Sequence, residues 1–282
     1  MQRGKLYRSA GIRLTPNEVI SEIDTDAGYK YLGILEADAM KSSKMKEIIT
    51  TEYRKRVRTI LKSKLNSKNV ITSINSRAIS LIRYSAGIIK WNNTELKNID
   101  RKTRKLLSIY GMFHKKGDID RLYWKRSEGG RGLISAEDCV EIEENNLYEY
   151  ISKSEEEMLK AVLKESAIGK GKPKNDIINE RKRAFSNKAL HSIFQTKTEF
   201  KDVQSWQWLQ KGDLKPATEG TIMAAQEQAL RTKSIKHHID KTDNSPLCRM
   251  CGEREETVAH IVSECSQLAQ KQYKRWRHDV VA

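Results

Sequence analysis

From Lys41 onward the apolar positions recur at helical spacing, with Met45, Ile48, Ile49, Tyr53, Val57, Ile60, Leu61 and Leu65 on one stripe and charged residues between them. This predicts a helix of about six turns. A second stripe of Ile71, Ile74, Ala78, Ile79, Ile82, Ala86 and Ile89 predicts a helix from Val70 to Trp91, and a third runs from about Thr94 through Leu96, Ile99, Leu106 and Leu107 to Tyr110. Short connections between them predict an antiparallel bundle. Ser135, followed three residues later by Asp138, makes a capping-box-like start for a helix to about Lys153. Further helices are expected over residues 155–166, 177–194, 200–210 and 219–239.

Residues 1–36 are patterned differently. Short β-rich runs at Gly11–Leu14, Val19–Ile23 and Tyr29–Leu35 read as strands, with turns at Thr15–Asn17 and Asp24–Gly28. So short a piece cannot bury a sheet by itself, so it either packs on the helices or is the trailing edge of a larger sheet. The stretch Gly169-Lys-Gly-Lys-Pro-Lys-Asn175 is rich in backbone breakers and has no apolar residue. These shifts divide the chain into 1–36, 37–168, 169–243 and 244–282. The expected fold class is mostly α, a helical bundle with a small N-terminal β element.

Composition narrows the function. Only 4 Pro and 15 Gly in 282 residues favour long helices over a turn-rich sandwich. No apolar run approaches the roughly 20 residues of a membrane span, and the N-terminus lacks the apolar core of a signal peptide, so an intracellular, nuclear or cytoplasmic chain is expected. The 53 Lys plus Arg exceed the 37 Asp plus Glu by a net charge of +16. Such an excess makes nucleic acid the default partner, with neither a membrane nor a small-molecule substrate implied.

One chemical pattern is sharp. Cys248 and Cys251 are separated by two residues, His260 follows after eight more, and Cys265 after a further four. Two thiolates on a turn ending in Gly252 face one side of a metal, and a His and a Cys on a following helix supply the rest. Four such ligands close a tetrahedral Zn²⁺ site with no open position, which makes the site structural. Cys139, beside Val140 and Ile142, reads as a core residue. Trp206 and Trp208 read as core too, and the adjacent His237 and His238 point different ways on a helix.

The tail resembles the region after the polymerase in LINE-type (non-LTR) retrotransposon polyproteins, most closely the branch carrying a restriction-like endonuclease. The resemblance rests on the C-x2-C-x8-H-x4-C spacing, on the preceding Leu214–Ala229 and on the following Tyr273–Ala282. Two upstream blocks agree: Tyr29-Lys-Tyr-Leu-Gly-Ile34 resembles the last strand of a reverse-transcriptase palm, and Arg121–Cys139, with its Gly129-Gly-Arg-Gly132, a block just beyond it. The resemblance implies a thumb, a linker and a zinc knuckle. It also implies that the catalytic palm lies upstream and the endonuclease downstream. The chain has no Asp-Asp pair. Its Asp-x-Asp pairs, Asp24/Asp26 and Asp118/Asp120, read as turn or cap residues, so no catalytic residue is expected and the chain by itself should polymerise nothing and cut nothing.

The charge is organised. Arg54, Lys55, Arg56, Arg58, Lys62, Lys64 and Lys68 face a single acid, Glu52, between residues 52 and 68, and Arg101, Lys102, Arg104, Lys105, Lys115 and Lys116 have none from 101 to 117. A thumb grips a primer–template duplex through phosphates, and one-sided basic helices supply that sequence-independent contact. Arg121, Lys125, Arg126 and Arg131 beside Tyr123 and Trp124 are expected to add contact and stacking. Lys274, Arg275 and Arg277, with Tyr273 and Trp276, are expected to form a basic aromatic helix. The acidic stretch Glu137–Glu157 is expected to turn away. Two rivals remain open: a host-adapted zinc-containing module that binds RNA, DNA or a protein, and an enzyme in its own right.

Overall fold

A computed structural model of the chain describes residues 12–16, 18–20, 29–36, 42–165, 170–192 and 203–269. The fold is mostly helical, with two antiparallel β-hairpins at its N-terminal end. In the first, β1 (Ile12–Thr15) pairs with β2 (Glu18–Ile20); in the second, β3 (Tyr29–Tyr31) pairs with β4 (Ile34–Glu36), with Tyr31 opposite Ile34. The run Tyr29–Leu35 is therefore two strands rather than one. Leu32 and Gly33 both take positive φ, +45° and +88°, the signature of a tight hairpin turn. The hairpin docks on the helices through buried Ile34 and through a hydrogen bond from the Tyr84 hydroxyl to the Leu32 carbonyl.

The bundle follows the stripes. Helix α1 (Ser42–Leu61) buries Met45, Ile49, Tyr53, Val57, Ile60 and Leu61. Ile48 and Leu65, expected on the same stripe, are exposed, because Ile48 lies at the margin of the apolar arc and Leu65 beyond the helix end. Next come α2 (Ser67–Ser73), a π-helical turn at Ile74–Ala78 and α3 (Ile79–Ala86). Here Ile71, Ile74, Ala78, Ile79 and Ile82 are all but inaccessible. The helix stops at Ala86, and Ile89 and Trp91 fold back, with the Trp91 indole donating to Ser85 Oγ at 3.1 Å. Helix α4 (Asn93–Ile109) opens with an Asn92/Glu95 capping box. It runs in the same direction as α1: Lys46 meets Glu95 at 2.7 Å, and one step further along both helices the hydroxyls of Tyr53 and Thr103 meet at 3.0 Å.

Beyond α4, Asp118 caps the short α5 (Ile119–Tyr123), accepting from Asp120 N and Arg121 N, and Ser135 caps α6 (Ala136–Lys153) by accepting from Asp138 N. Helix α7 (Glu157–Glu165) continues from α6, and α8 (Lys174–Ser186) packs back on α5 and α6, with Arg181 reaching Asp138 and Asp120. Helices α9 (Gln207–Lys211) and α10 (Pro216–Gln226) cover the glycine-rich turn. The continuous helix expected over 219–239 is broken. Gln228 takes a φ of +55°, and the chain restarts at α11 (Lys233–Ile235), capped by Thr232 and prolonged by a π-helical turn to Asp240. No helix among the described residues is long and apolar enough to cross a membrane.

Three arginines expected on a nucleic-acid surface are part of the interior instead. Arg121 and Arg131 are buried, and Arg126 is only 12% exposed. Arg121 pairs with Glu227 at 3.2 Å and donates Nε to the Gly129 carbonyl. Arg131 donates Nε to Glu219 at 3.0 Å, and Arg126 grips the same carboxylate and the Leu209 carbonyl. The reason is the cost of leaving a charge unpaired out of water. Guanidinium groups folded under α10 require carboxylates, and α10 with its following turn brings Glu219 and Glu227. Tyr123 and Trp124 are buried with them, so neither is free to stack on a base; Trp124 instead packs edge-on against Phe185.

Candidate metal centre

The C-terminal cysteines are brought together by a small closed loop. An antiparallel bridge joins Leu247 to Glu255, Cys248 N donates to the Arg254 carbonyl at 2.7 Å, and Gly252 N donates to the Cys248 carbonyl at 2.8 Å. Gly252 takes a φ of +70°, which brings the chain round sharply after Cys251 and favours a residue without a Cβ. The chain then enters a helical turn in which His260 N is capped by Thr257 Oγ1, and a π-helical turn at His260–Glu264 delivers Cys265 at its end.

The result is one cluster. The potential ligand atoms of Cys248, Cys251, His260 and Cys265 all lie within 4.8 Å of one another, and Cys251 Sγ is 3.3 Å from His260 Nε2. Tetrahedral thiolate ligands at about 2.3 Å from a metal sit roughly 3.8 Å apart, so the donor set and its spacing fit a four-coordinate ion. Cys248, His260 and Cys265 are buried, which closes the cluster to solvent on most sides. Backbone N–H groups of Glu253 and Arg254 aimed at Cys251 bring its thiol down to about 7, towards the thiolate form that metals bind, while burial pushes Cys248 up. These four residues can hold a metal ion.

Glu256 lies between the cysteine pair and His260. Its buried carboxylate accepts from Lys233 N at 2.9 Å and from Arg249 N and Nε at 3.0 and 2.7 Å. The Arg249 bonds, acting against burial, hold it down to about 2. It therefore clasps the cysteine loop to the start of α11. An acid in the run Glu253-Arg-Glu-Glu256 carries no local sign of this role, because its partners come from both sides of the loop. Cys139 is a buried core thiol, pushed up to about 12 by burial, and Trp206 is buried as expected.

The basic helices keep an exposed face. Lys55, Arg58 and Lys62 on α1 and just beyond it are exposed, with Arg54 half-buried on the same side; Arg101 and Lys105 on α4 are exposed, with Lys102 and Arg104 half-buried. Among the described residues only Lys55 of these meets an acid, Glu52, at 3.9 Å. Lys125 is exposed, unlike the buried Arg121 and Arg131 and the largely covered Arg126. Lys274, Arg275 and Arg277 lie outside the described residues, as do Asp24 and Asp26. A groove of about 410 Å³ runs between α1 and α4, lined by Lys46, Thr50, Arg54, Glu95 and Asn98 among others. Glu137, Asp138 and Glu143, at the start of the acidic stretch, pair with Lys97, Arg181 and Arg83. No protein-family model matches the chain, and no curated protein matches it either.

Proposed function

We propose that this protein binds nucleic acid through phosphates, using the parallel helices α1 and α4 as its grip, and that Cys248, Cys251, His260 and Cys265 hold a structural Zn²⁺. The observation that carries the reading is that Arg54, Arg58 and Lys62 on and just beyond α1, and Arg101, Lys102, Arg104 and Lys105 on α4, form no ion pair among the described residues, whereas Lys55 meets Glu52. Charges left uncompensated on neighbouring parallel helices attract a polyanion and release its counterions on binding. Soft thiolates and one imidazole in a closed set of four favour zinc over harder cations. In this reading the chain is the grip of a LINE-like reverse transcriptase, its basic helices corresponding to a thumb and its metal unit to a knuckle, and it carries no catalytic role.

A second reading has its own support. Leu247, Met250 and Val262 are exposed around the cysteine cluster, an apolar rim suited to docking a protein. Titration of an RNA–DNA hybrid and a DNA duplex at stepped salt separates the two. Affinity that falls linearly with the logarithm of salt concentration, alike for both duplexes, supports the phosphate grip; absence of duplex binding at low salt overturns it.

A further inference from the structure

Arg101 and Arg104 line a cleft of about 640 Å³, bounded also by Ile119 and Tyr123 of α5, Glu137 of α6 and Arg181 of α8. Every carboxylate in this cleft is engaged. Asp100 accepts from Ala136 N at 2.7 Å and Glu137 N at 3.2 Å, Glu95 holds Lys46, and Glu137 lies 3.6 Å from Lys97. Arg181 is engaged as well, with Asp138 and Asp120, and lies over the Tyr123 ring at 4.4 Å from its centroid. The two α4 arginines differ. Arg101 donates to the Asn98 side chain at 3.1 Å and Arg104 to the Tyr123 hydroxyl at 2.8 Å, and neither forms an ion pair among the described residues. Asp100 attracts Arg104 through space, but its oxygens are taken by backbone N–H groups. The same two bonds occupy the start of α6, so the helix end is not the recognition element.

We infer that this cleft seats a phosphomonoester carried by a nucleotide, with Arg101 and Arg104 clamping the phosphoryl oxygens and the nucleoside lying towards the exposed Ile119. The volume is within the roughly 300–1,000 Å³ usual for small-ligand clefts. A dianionic monoester matches two guanidinium charges and offers three oxygens to two planar forks, whereas a backbone diester has one charge and two free oxygens. The inference goes beyond the grip on backbone phosphates and does not depend on it. A terminal phosphate of a strand and a free nucleotide share this chemistry.

The test uses the full chain and two single-stranded oligonucleotides of one sequence, 5′-phosphorylated and 5′-hydroxyl, with AMP as competitor and as titrant in calorimetry. The phosphorylated strand is expected to bind roughly tenfold tighter, as one added charge-assisted contact implies. Arg101→Gln with Arg104→Gln should erase that ratio, while Arg58→Gln with Lys62→Gln weakens both strands and leaves it. Should the Arg104 change disturb folding, Arg101→Gln alone, at an exposed position, should still reduce the ratio. AMP that displaces the phosphorylated strand's advantage identifies a free nucleotide as a ligand as well; an advantage that AMP does not displace identifies the strand terminus. Equal binding of the two strands together with no AMP binding overturns the inference. AMP binding without any strand binding supports the cleft for a free nucleotide, and the duplex titration decides the phosphate grip separately.

Discussion

Arg131 Nε donates to Glu219 Oε1 at 3.0 Å, joining two buried residues that are 88 positions apart. The carboxylate also accepts from Ser67 Oγ at 2.7 Å and from Arg126, so one side chain ties α2, the glycine-rich turn and α10 together. Burial alone would push the Glu219 carboxyl up; Arg131 and Arg126 outweigh it and leave it below the usual carboxylate range. Removing one member strands the others without compensation. Glu219→Ala should cost about 3–5 kcal/mol, read as a lowered urea midpoint, whereas Arg58→Ala should stay within about 0.5 kcal/mol.

The seat of α10 is sterically tight. A Cβ on Gly220 would lie 2.7 Å from the Gly111 carbonyl oxygen and 2.8 Å from that of Met112. Gly220→Ala should therefore destabilise the fold by about 1–3 kcal/mol despite the better helix propensity of alanine; an unchanged or raised melting temperature would show that α10 has room to shift.

Native mass spectrometry of protein prepared without chelator should find one zinc ion per chain. Cys248→Ser, Cys251→Ser or Cys265→Ser should each remove it, since every cysteine supplies one of four ligands in the set. Retention of a full equivalent of zinc in any of the three would exclude that residue from the coordination shell.

For the phosphate grip, Arg58→Gln together with Lys62→Gln should flatten the slope of log affinity against log salt by about 1.8, or roughly 0.9 for each lost phosphate contact. Lys153→Gln with Lys160→Gln, next to and on α7, should leave the slope unchanged. Equal effects from the two pairs would mean that net charge, and not the placement of α1, governs binding.

Asp100 gives a pH signature. Burial pushes its carboxyl up to about 7, against the backbone N–H groups of Ala136 and Glu137, so the folded chain holds this proton more tightly than the unfolded chain does. The stabilisation is fully present below about pH 4 and is lost as pH rises through 7. Asp100→Asn removes that dependence, so its melting temperature relative to the parent should rise between pH 4.5 and 7.5. A difference that stays flat over this range would show that the two N–H groups keep the carboxylate ionised.

Much of this arrangement is legible in the sequence where the signal is local. The stripe Ile71, Ile74, Ala78, Ile79 and Ile82 predicts a buried helix face and is one; Ser135 caps its helix; and the cysteine and histidine spacing brings four ligand atoms into one cluster. What local pattern cannot separate is one arginine from another. Arg101 sits among lysines and arginines and Arg131 among glycines, and neither setting names an acid partner; Arg101 is exposed on α4 and Arg131 is buried, because its acid arrives 88 residues later. Gln228 similarly breaks a helix that its neighbours would continue, and the break serves contacts made elsewhere by Glu227, with Arg121 and Asp118 N.

The Glu219 tie also sets an order of events during synthesis. Arg121, Arg126 and Arg131 leave the ribosome well ahead of the carboxylates that neutralise them, and at about 5–20 residues per second the 88-residue gap from Arg131 to Glu219 lasts roughly 4–18 s. Until then Arg126 and Arg131 lack the carboxylate that pairs with them in the finished fold. The arrival of α10 and its following turn thus converts three solvated cations into an interior joint.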